Sequence, residues 1–129
     1  KIEESSYIYG DSLAYRKVFK NDNNGNKIEE HVYNGDGALG HYTKYKYDAN
    51  GKETELKYFN PDGTANMIIK YVYDKRQNLT DEVFYRPDSL IARWNYEYDY
   101  DSLGNWISKI RIMNNNGLDM FKRDIKYYK

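Results

Sequence analysis

Displaced by 26 residues, the sequence falls on itself, and no other feature restricts the choice of fold as strongly. Asn24-Gly25 lands on Asn50-Gly51, Asn50-Gly51 lands on Arg76-Gln77, and after one inserted residue the series reaches Leu103-Gly104. A second series falls between these, at Gly35-Asp36-Gly37, Pro61-Asp62-Gly63, Pro87-Asp88-Ser89 and Asn115-Asn116-Gly117. Gly10-Asp11-Ser12-Leu13 echoes Pro87-Asp88-Ser89-Leu90, so the repetition reaches nearly to the N-terminus. Each unit holds two turns about 13 residues apart. The units run over about 14–41, 42–67, 68–93 and 94–121, with partial units at both ends, which makes residues 1–129 a single β-hairpin repeat domain.

Between the turns, Tyr, Val, Ile, Phe and Thr alternate with polar residues at period two, as in Lys44-Tyr45-Lys46-Tyr47-Asp48 and Lys70-Tyr71-Val72-Tyr73-Asp74. No helical periodicity lasts beyond two turns. The pattern predicts an all-β fold, an antiparallel up-and-down meander of about ten strands near 3–9, 13–21, 27–33, 39–48, 53–59, 65–74, 79–86, 91–100, 106–113 and 119–128. A two-residue turn at Asn50-Gly51 would place Tyr47 opposite Thr54, Tyr45 opposite Leu56 and Thr43 opposite Tyr58 on one face. The other face would carry Lys46 with Glu55, Asp48 with Glu53, and Lys44 opposite Lys57. One unit later, Tyr73 meets Thr80, Ile69 meets Phe84 and Tyr71 meets Glu82, while Val72, Val83 and Tyr85 break the division. The natural reading is a sheet with one buried and one wet face. An open or strongly curled sheet is favoured over a closed barrel, because a barrel lined with tyrosine hydroxyls must satisfy each of them. The lysine-rich ending Lys122 to Lys129 suits an edge strand, and exposed edges allow self-association through them.

Composition narrows the function classes. Lys plus Arg and Asp plus Glu number 20 each, so no net field draws the chain to nucleic acid or an anionic membrane. Basic residues are interleaved with acids, with no basic groove beside the rings for a single strand of nucleic acid. No apolar run reaches the length of a membrane-spanning segment. Without cysteine there are no disulfides, thiolate metal sites or cysteine nucleophiles. Leu, Ile, Val and Phe supply only 25 of 129 residues, whereas Tyr alone supplies 16, so any apolar surface is largely tyrosine.

The segments Tyr45-Lys46-Tyr47-Asp48-Ala49-Asn50-Gly51-Lys52, Tyr71-Val72-Tyr73-Asp74-Lys75-Arg76-Gln77-Asn78-Leu79-Thr80 and Tyr98-Asp99-Tyr100-Asp101-Ser102-Leu103-Gly104-Asn105-Trp106-Ile107 resemble the YD repeats of the RHS family. The Gly-Asn-Trp-Ile variant looks like short YD-repeat proteins from the envelopes of Gram-negative bacteria. Gln77 departs from the glycine of that pattern, and Val18-Phe19-Lys20-Asn21 replaces the tyrosine pair in the first unit. MORN-variant repeats are the second resemblance. The YD resemblance implies a secreted or cell-envelope location, surface or periplasmic, lipoproteins included. It also implies partners that are proteins or surface glycans.

Catalytic constellations are missing from the sequence. His31 and His41 fall in different half-repeats without a third ligand at a recognisable spacing, and the calcium-loop-like runs from Asp99 and from Asp22 fail at required ligand positions. Asp48, Asp74 and Asp101 recur before turns, which suits turn capping rather than catalysis. No nucleophile elbow or phosphate-cradling loop is present. The expectation is a non-enzymatic structural or protein-interaction module that needs no cofactor and no metal. The alternative is a carbohydrate-binding module in which Tyr45, Tyr47, Tyr71, Tyr73, Trp94, Tyr96, Tyr98 and Trp106 stack on sugar rings while nearby Asn and Asp side chains bind hydroxyls. Asn78-Leu79-Thr80 fits an N-glycosylation sequon. Asp-Ser-Leu at Ser12, Ser89 and Ser102 resembles an O-glycosylation acceptor of Gram-negative anaerobes, with each serine placed in a turn.

Overall fold

The computed structural model describes the backbone of residues 2–8, 12–113 and 117–122 and the side chains of residues 15–113. Strands β1 (Ile2–Ile8), β2 (Ser12–Asn21), β3 (Lys27–Asn34), β4 (Leu39–Tyr47), β5 (Glu53–Phe59), β6 (Ala65–Tyr73), β7 (Leu79–Arg86), β8 (Ser89–Tyr100), β9 (Trp106–Met113) and β10 (Gly117–Lys122) follow in chain order. Eight interior strands, β2–β9, form one antiparallel sheet in sequence order, with β1 and β10 at its flanks. There is no helix among the described residues, and none long and apolar enough to cross a membrane. The Asn115-Asn116 turn and the chain beyond Lys122 lie outside the described residues.

The sheet is open. Each strand contacts only its sequence neighbours, so among the described residues it neither curls onto itself nor closes into a barrel. Nor do the described residues form a second layer over either face, which corrects the expectation of one buried face. Among the described residues only Thr43, Leu56, Ile69 and Val83 are buried, and most other strand side chains are half-buried against their cross-strand neighbours. Leu56 owes its burial to Tyr45 on one side and Ile69 on the other.

The turns explain where the derived register holds and where it fails. At Asp48–Lys52 the Gly51 N–H donates to the Asp48 carbonyl (3.1 Å) and the Asp48 N–H to the Lys52 carbonyl (2.8 Å), with Gly51 left-handed at φ 78°. That is a three-residue loop, a type I turn closed by a left-handed residue, not the expected two-residue turn. The extra residue is absorbed as a bulge. Tyr47 faces Glu53, leaving Thr54 outside the ladder, so the expected Tyr47–Thr54 and Asp48–Glu53 pairs do not form. Tyr73 likewise faces Leu79 rather than Thr80. Inward from the bulge the derived pairs stand: Lys46–Glu55, Tyr45–Leu56, Lys44–Lys57, Thr43–Tyr58, Ile69–Phe84 and Tyr71–Glu82.

Five further loops share this geometry, at 22–26, 34–38, 60–64, 74–78 and 101–105. The β7–β8 connection differs. Ser89 stands where Gly63 stands one unit earlier, and the two-residue loop Pro87-Asp88 forms instead, with Asp88 taking the left-handed conformation at φ 65°.

Candidate functional site

Cross-strand register places all eight candidate platform residues on one face. Tyr45 and Tyr47 lie on β4, Tyr71 and Tyr73 on β6, Trp94, Tyr96 and Tyr98 on β8, and Trp106 at the start of β9. All are half-buried. This tyrosine face also carries Phe19, Lys27, Glu30, Glu53, Glu82, Lys109 and Arg111. The opposite face holds Lys44, Lys46, Glu55, Lys57, Lys70 and Arg93, but it is not purely charged. His31, Tyr42 and Phe59 form a stacked row across it, with centroids 5.2 and 4.6 Å apart.

On the tyrosine face the hydroxyls have specific work. Tyr47 donates to the Lys27 carbonyl (2.7 Å) and Tyr73 to the Glu53 carbonyl (2.7 Å). Lys27 and Glu53 open β3 and β5, where neighbouring hairpins meet beside their turns, so each hydroxyl ties one hairpin to the one before it. The inserted residue shifts the third case. Tyr98, not Tyr100, donates to the Leu79 carbonyl at the start of β7 (2.7 Å). Tyr100 instead donates to Asp74 Oδ2 (3.0 Å) and accepts from the Asn78 amide (2.9 Å). In the first unit Phe19 and Asn21 occupy the tyrosine positions, so no hydroxyl is available there.

Cations cover many of the rings. Lys27 sits over Tyr45 (4.9 Å), Lys52 over Tyr73 (5.8 Å), Lys109 over Tyr96 (4.5 Å), Arg111 over Trp94 (4.1 Å) and Arg76 over Tyr100 (4.2 Å). Trp106 meets Tyr98 edge-on at 6.3 Å. The rings expected to stack on sugars therefore share their surfaces with internal cations and neighbouring rings. Burial pushes the Tyr98 hydroxyl up to about 12, with Tyr100 and Asp74 adding to it, and pushes Tyr96 up to about 12, with its hydrogen bond to Glu82 next in weight. Tyr71 is raised further by burial, then by Glu53 and Glu82.

The recurring aspartates close the turns. Asp48 Oδ1 accepts from the Asn50 and Lys52 N–H groups (2.9 Å each), Asp74 Oδ1 from Arg76 and Asn78 (2.8 and 2.9 Å), and Asp101 Oδ1 from Leu103 and Asn105 (2.9 Å each). Asp22 does the same, and hydrogen bonding, led by the Asn26 amide, holds it below the usual carboxylate range. In Asp74 burial works to raise the pKa, and is outweighed by bonds from the Asn78 and Arg76 backbone and from Tyr100. Of the residues that opened like a calcium loop, Asp22 and Asp101 are thus engaged with backbone, and Asp99 Oδ2 accepts from the Ser108 hydroxyl (3.0 Å). No group of three or more His, Asp or Glu positioned for a metal occurs among the described residues. His31 bonds Glu29, which holds the Glu29 carboxyl low, and His41 is exposed on β4.

Of the glycosylation candidates, Ser102 is exposed in its turn, whereas Ser89 opens β8 and is exposed there rather than in the loop. Ser12 opens β2, and its side chain lies outside the described residues. Asn78 spends its amide on Tyr100. Sequence reasoning missed the hydroxyl-to-carbonyl ties, although a tyrosine 20 positions after the first residue of the preceding odd strand carries the signal at Tyr47 and Tyr73. It also missed a groove of about 670 Å³ between the third and fourth aspartate turns, bordered by Arg76, Asn78, Tyr100, Asn105 and Trp106.

No family model matches the sequence, and no curated protein matches it significantly. Among solved structures, the chain is similar to a DUF3836 family protein from Bacteroides vulgatus ATCC 8482, with 18% identity and a TM-score of 0.43 over 84% of this chain and 99% of that one. It is also similar to a chain of TcdB2-TccC3-TEV, with 19% identity and a TM-score of 0.31 over 79% of this chain and 6% of that one.

Proposed function

We propose that this chain is a non-enzymatic, YD-like repeat module of the bacterial cell envelope, built from 26-residue hairpin units, that acts as a structural and protein-interaction element through its sheet faces. One observation carries the reading: among the described residues the sheet is a single layer with both faces uncovered, while its recurring Asp and Tyr polar atoms are spent on turns and on ties between hairpins. A catalytic group is needed once, whereas these groups recur with the hairpins. The envelope assignment draws on the tyrosine-aspartate pattern of the sequence. A photo-crosslinking residue placed at exposed Lys46 or Leu90 in native cells should yield discrete protein adducts in the envelope fraction. Adducts at neither position would contradict the interaction role, and recovery only from the cytoplasm would contradict the location.

The groove beside Trp106 favours carbohydrate binding as a second reading. It joins an indole to the Asn78 and Asn105 amides and the Arg76 guanidinium, the chemistry that holds sugar hydroxyls over an aromatic ring. A glycan array should then show binding that Trp106→Ala removes without loss of the fold. No binding to any glycan contradicts it.

A further inference from the structure

The two faces of the sheet differ in charge where its centre is uncovered. On the lysine face, Lys46, Lys57 and Lys70 surround Glu55: Lys46 and Lys57 bond it at 2.9 and 3.4 Å, and Lys70 is its register partner. Lys44 lies directly opposite Lys57. Like charges facing each other across a strand pair are unfavourable in isolation. Lys46, Lys57 and Lys70 thus share the Glu55 carboxylate, Lys44 has Glu29 as its register partner on β3, and Lys44, Lys46 and Lys70 are exposed.

Behind them, the tyrosine face carries Glu53 and Glu82 on β5 and β7. Among the described residues no hydrogen bond or ion pair reaches the Glu53 carboxylate. Among the described residues Glu82 accepts only the Tyr96 hydroxyl (2.8 Å). The nearest cation acting on Glu53 is Lys27, which is already paired with Glu30 at 2.7 Å. A half-buried carboxylate whose nearest cation is already paired therefore sits behind a cluster in which cations outnumber carboxylates.

We propose that a second copy of this chain stacks on the first in the same orientation, the lysine face of one sheet over the tyrosine face of the next. Lys44, Lys57 and Lys70 then lie over Glu53 and Glu82. Over β4–β7, stacking like face on like face would set lysine on lysine or glutamate on glutamate, so charge at the centre selects the unlike pairing, while Lys27, Lys109 and Arg111 of the tyrosine face lie outside those strands. The area suffices. Eight strands about 4.8 Å apart and about seven residues long at ~3.3 Å each present roughly 800 Å² per face. Covering one face of each copy buries roughly 1,600 Å², the usual size of a stable protein interface. Packed sheets lie ~10 Å apart, within reach of lysine and tyrosine side chains. The half-exposed rings supply the apolar area, and the unlike charges fix the register.

This inference rests on the reading of the faces as interaction surfaces and names the partner. Light scattering over a concentration series at low salt should show the mass of the wild-type chain rising to at least twice the monomer and returning to monomer at high salt. Lys44→Glu/Lys70→Glu and Glu53→Lys/Glu82→Lys, each verified as folded by circular dichroism, should remain monomeric alone and associate again when mixed. If the second pair fails to fold through loss of the Tyr96 acceptor, the first pair should still weaken self-association at least tenfold. A wild type that stays monomeric throughout, or a Lys44→Glu/Lys70→Glu chain that associates as the wild type does, overturns the stacking. Crosslinks to other proteins from Lys46 or Leu90 would in that event leave the broader interaction reading intact.

Discussion

Apart from the two-residue β7–β8 loop, the two ends of the sheet use the same loop and reinforce it differently. At one end, Asp22, Asp48, Asp74 and Asp101 stand before the loop, and each accepts two backbone N–H groups. The hydroxyls of Tyr47, Tyr73 and Tyr98 then tie successive hairpins together at that end. At the other end, Asp36 and Asp62 stand inside the loop, and each accepts a single backbone N–H, from Ala38 and Thr64. Among the described residues no tyrosine hydroxyl crosses between hairpins there. Backbone geometry alone makes a hairpin; the aspartate end adds what makes a row of hairpins into a sheet without a second layer.

The largest contrast is expected from aspartate removal. Asp74→Ala forfeits two backbone acceptor bonds and the Tyr100 contact, and should lower stability by about 2 kcal/mol after allowing for solvent screening. Asp62→Ala at the opposite end should lower the melting temperature by a clearly smaller amount. Equal losses in paired thermal melts would erase the distinction between the ends.

Gln77 sharpens the comparison because it departs from glycine at the reinforced end. It holds the left-handed conformation at φ 64°, where the other three aspartate loops have Gly25, Gly51 and Gly104, and its Oε1 is buried without a partner. Gln77→Gly should therefore stabilise the chain by about 1 kcal/mol. A neutral or destabilising result would mean that the Gln77 side chain contributes packing that offsets the strain.

The tyrosine hydroxyls also predict an alkaline limit. Tyr96 and Tyr98 are raised to about 12 in the folded chain, against an ordinary phenol near 10. The fold favours the neutral hydroxyl, so the associated stability is complete below about pH 10 and is lost as pH rises through about 12. Melts across that window should show it, with little change between pH 7 and 9 if these two groups dominate.

The spacing of strands was legible because Asn, Gly, Asp and Pro punctuate the chain. The bounds of β2 through β9 lie within two residues of those drawn from that punctuation. Register was legible in mid-strand, where Tyr45 meets Leu56, and was lost beside the loop, where the left-handed Gly51 adds a third loop residue and Thr54 slips out of the ladder. The missing second layer could not be read, because period-two alternation reports that two faces differ and not what covers them. The ties from Tyr47 and Tyr73 lie between hairpins, beyond the reach of within-hairpin pairing rules. Tyr98 shows how a single inserted residue reassigns the role from one tyrosine to another two positions away.

Repeated tyrosines hold adjacent hairpins together through their hydroxyls. Thermal unfolding of Tyr47→Phe, Tyr73→Phe and Tyr98→Phe against Tyr58→Phe, whose hydroxyl has no bond among the described residues, tests it most directly. Each of the first three should lose about 1 kcal/mol while Tyr58→Phe stays near wild type. Four equal effects, or none, would contradict the account.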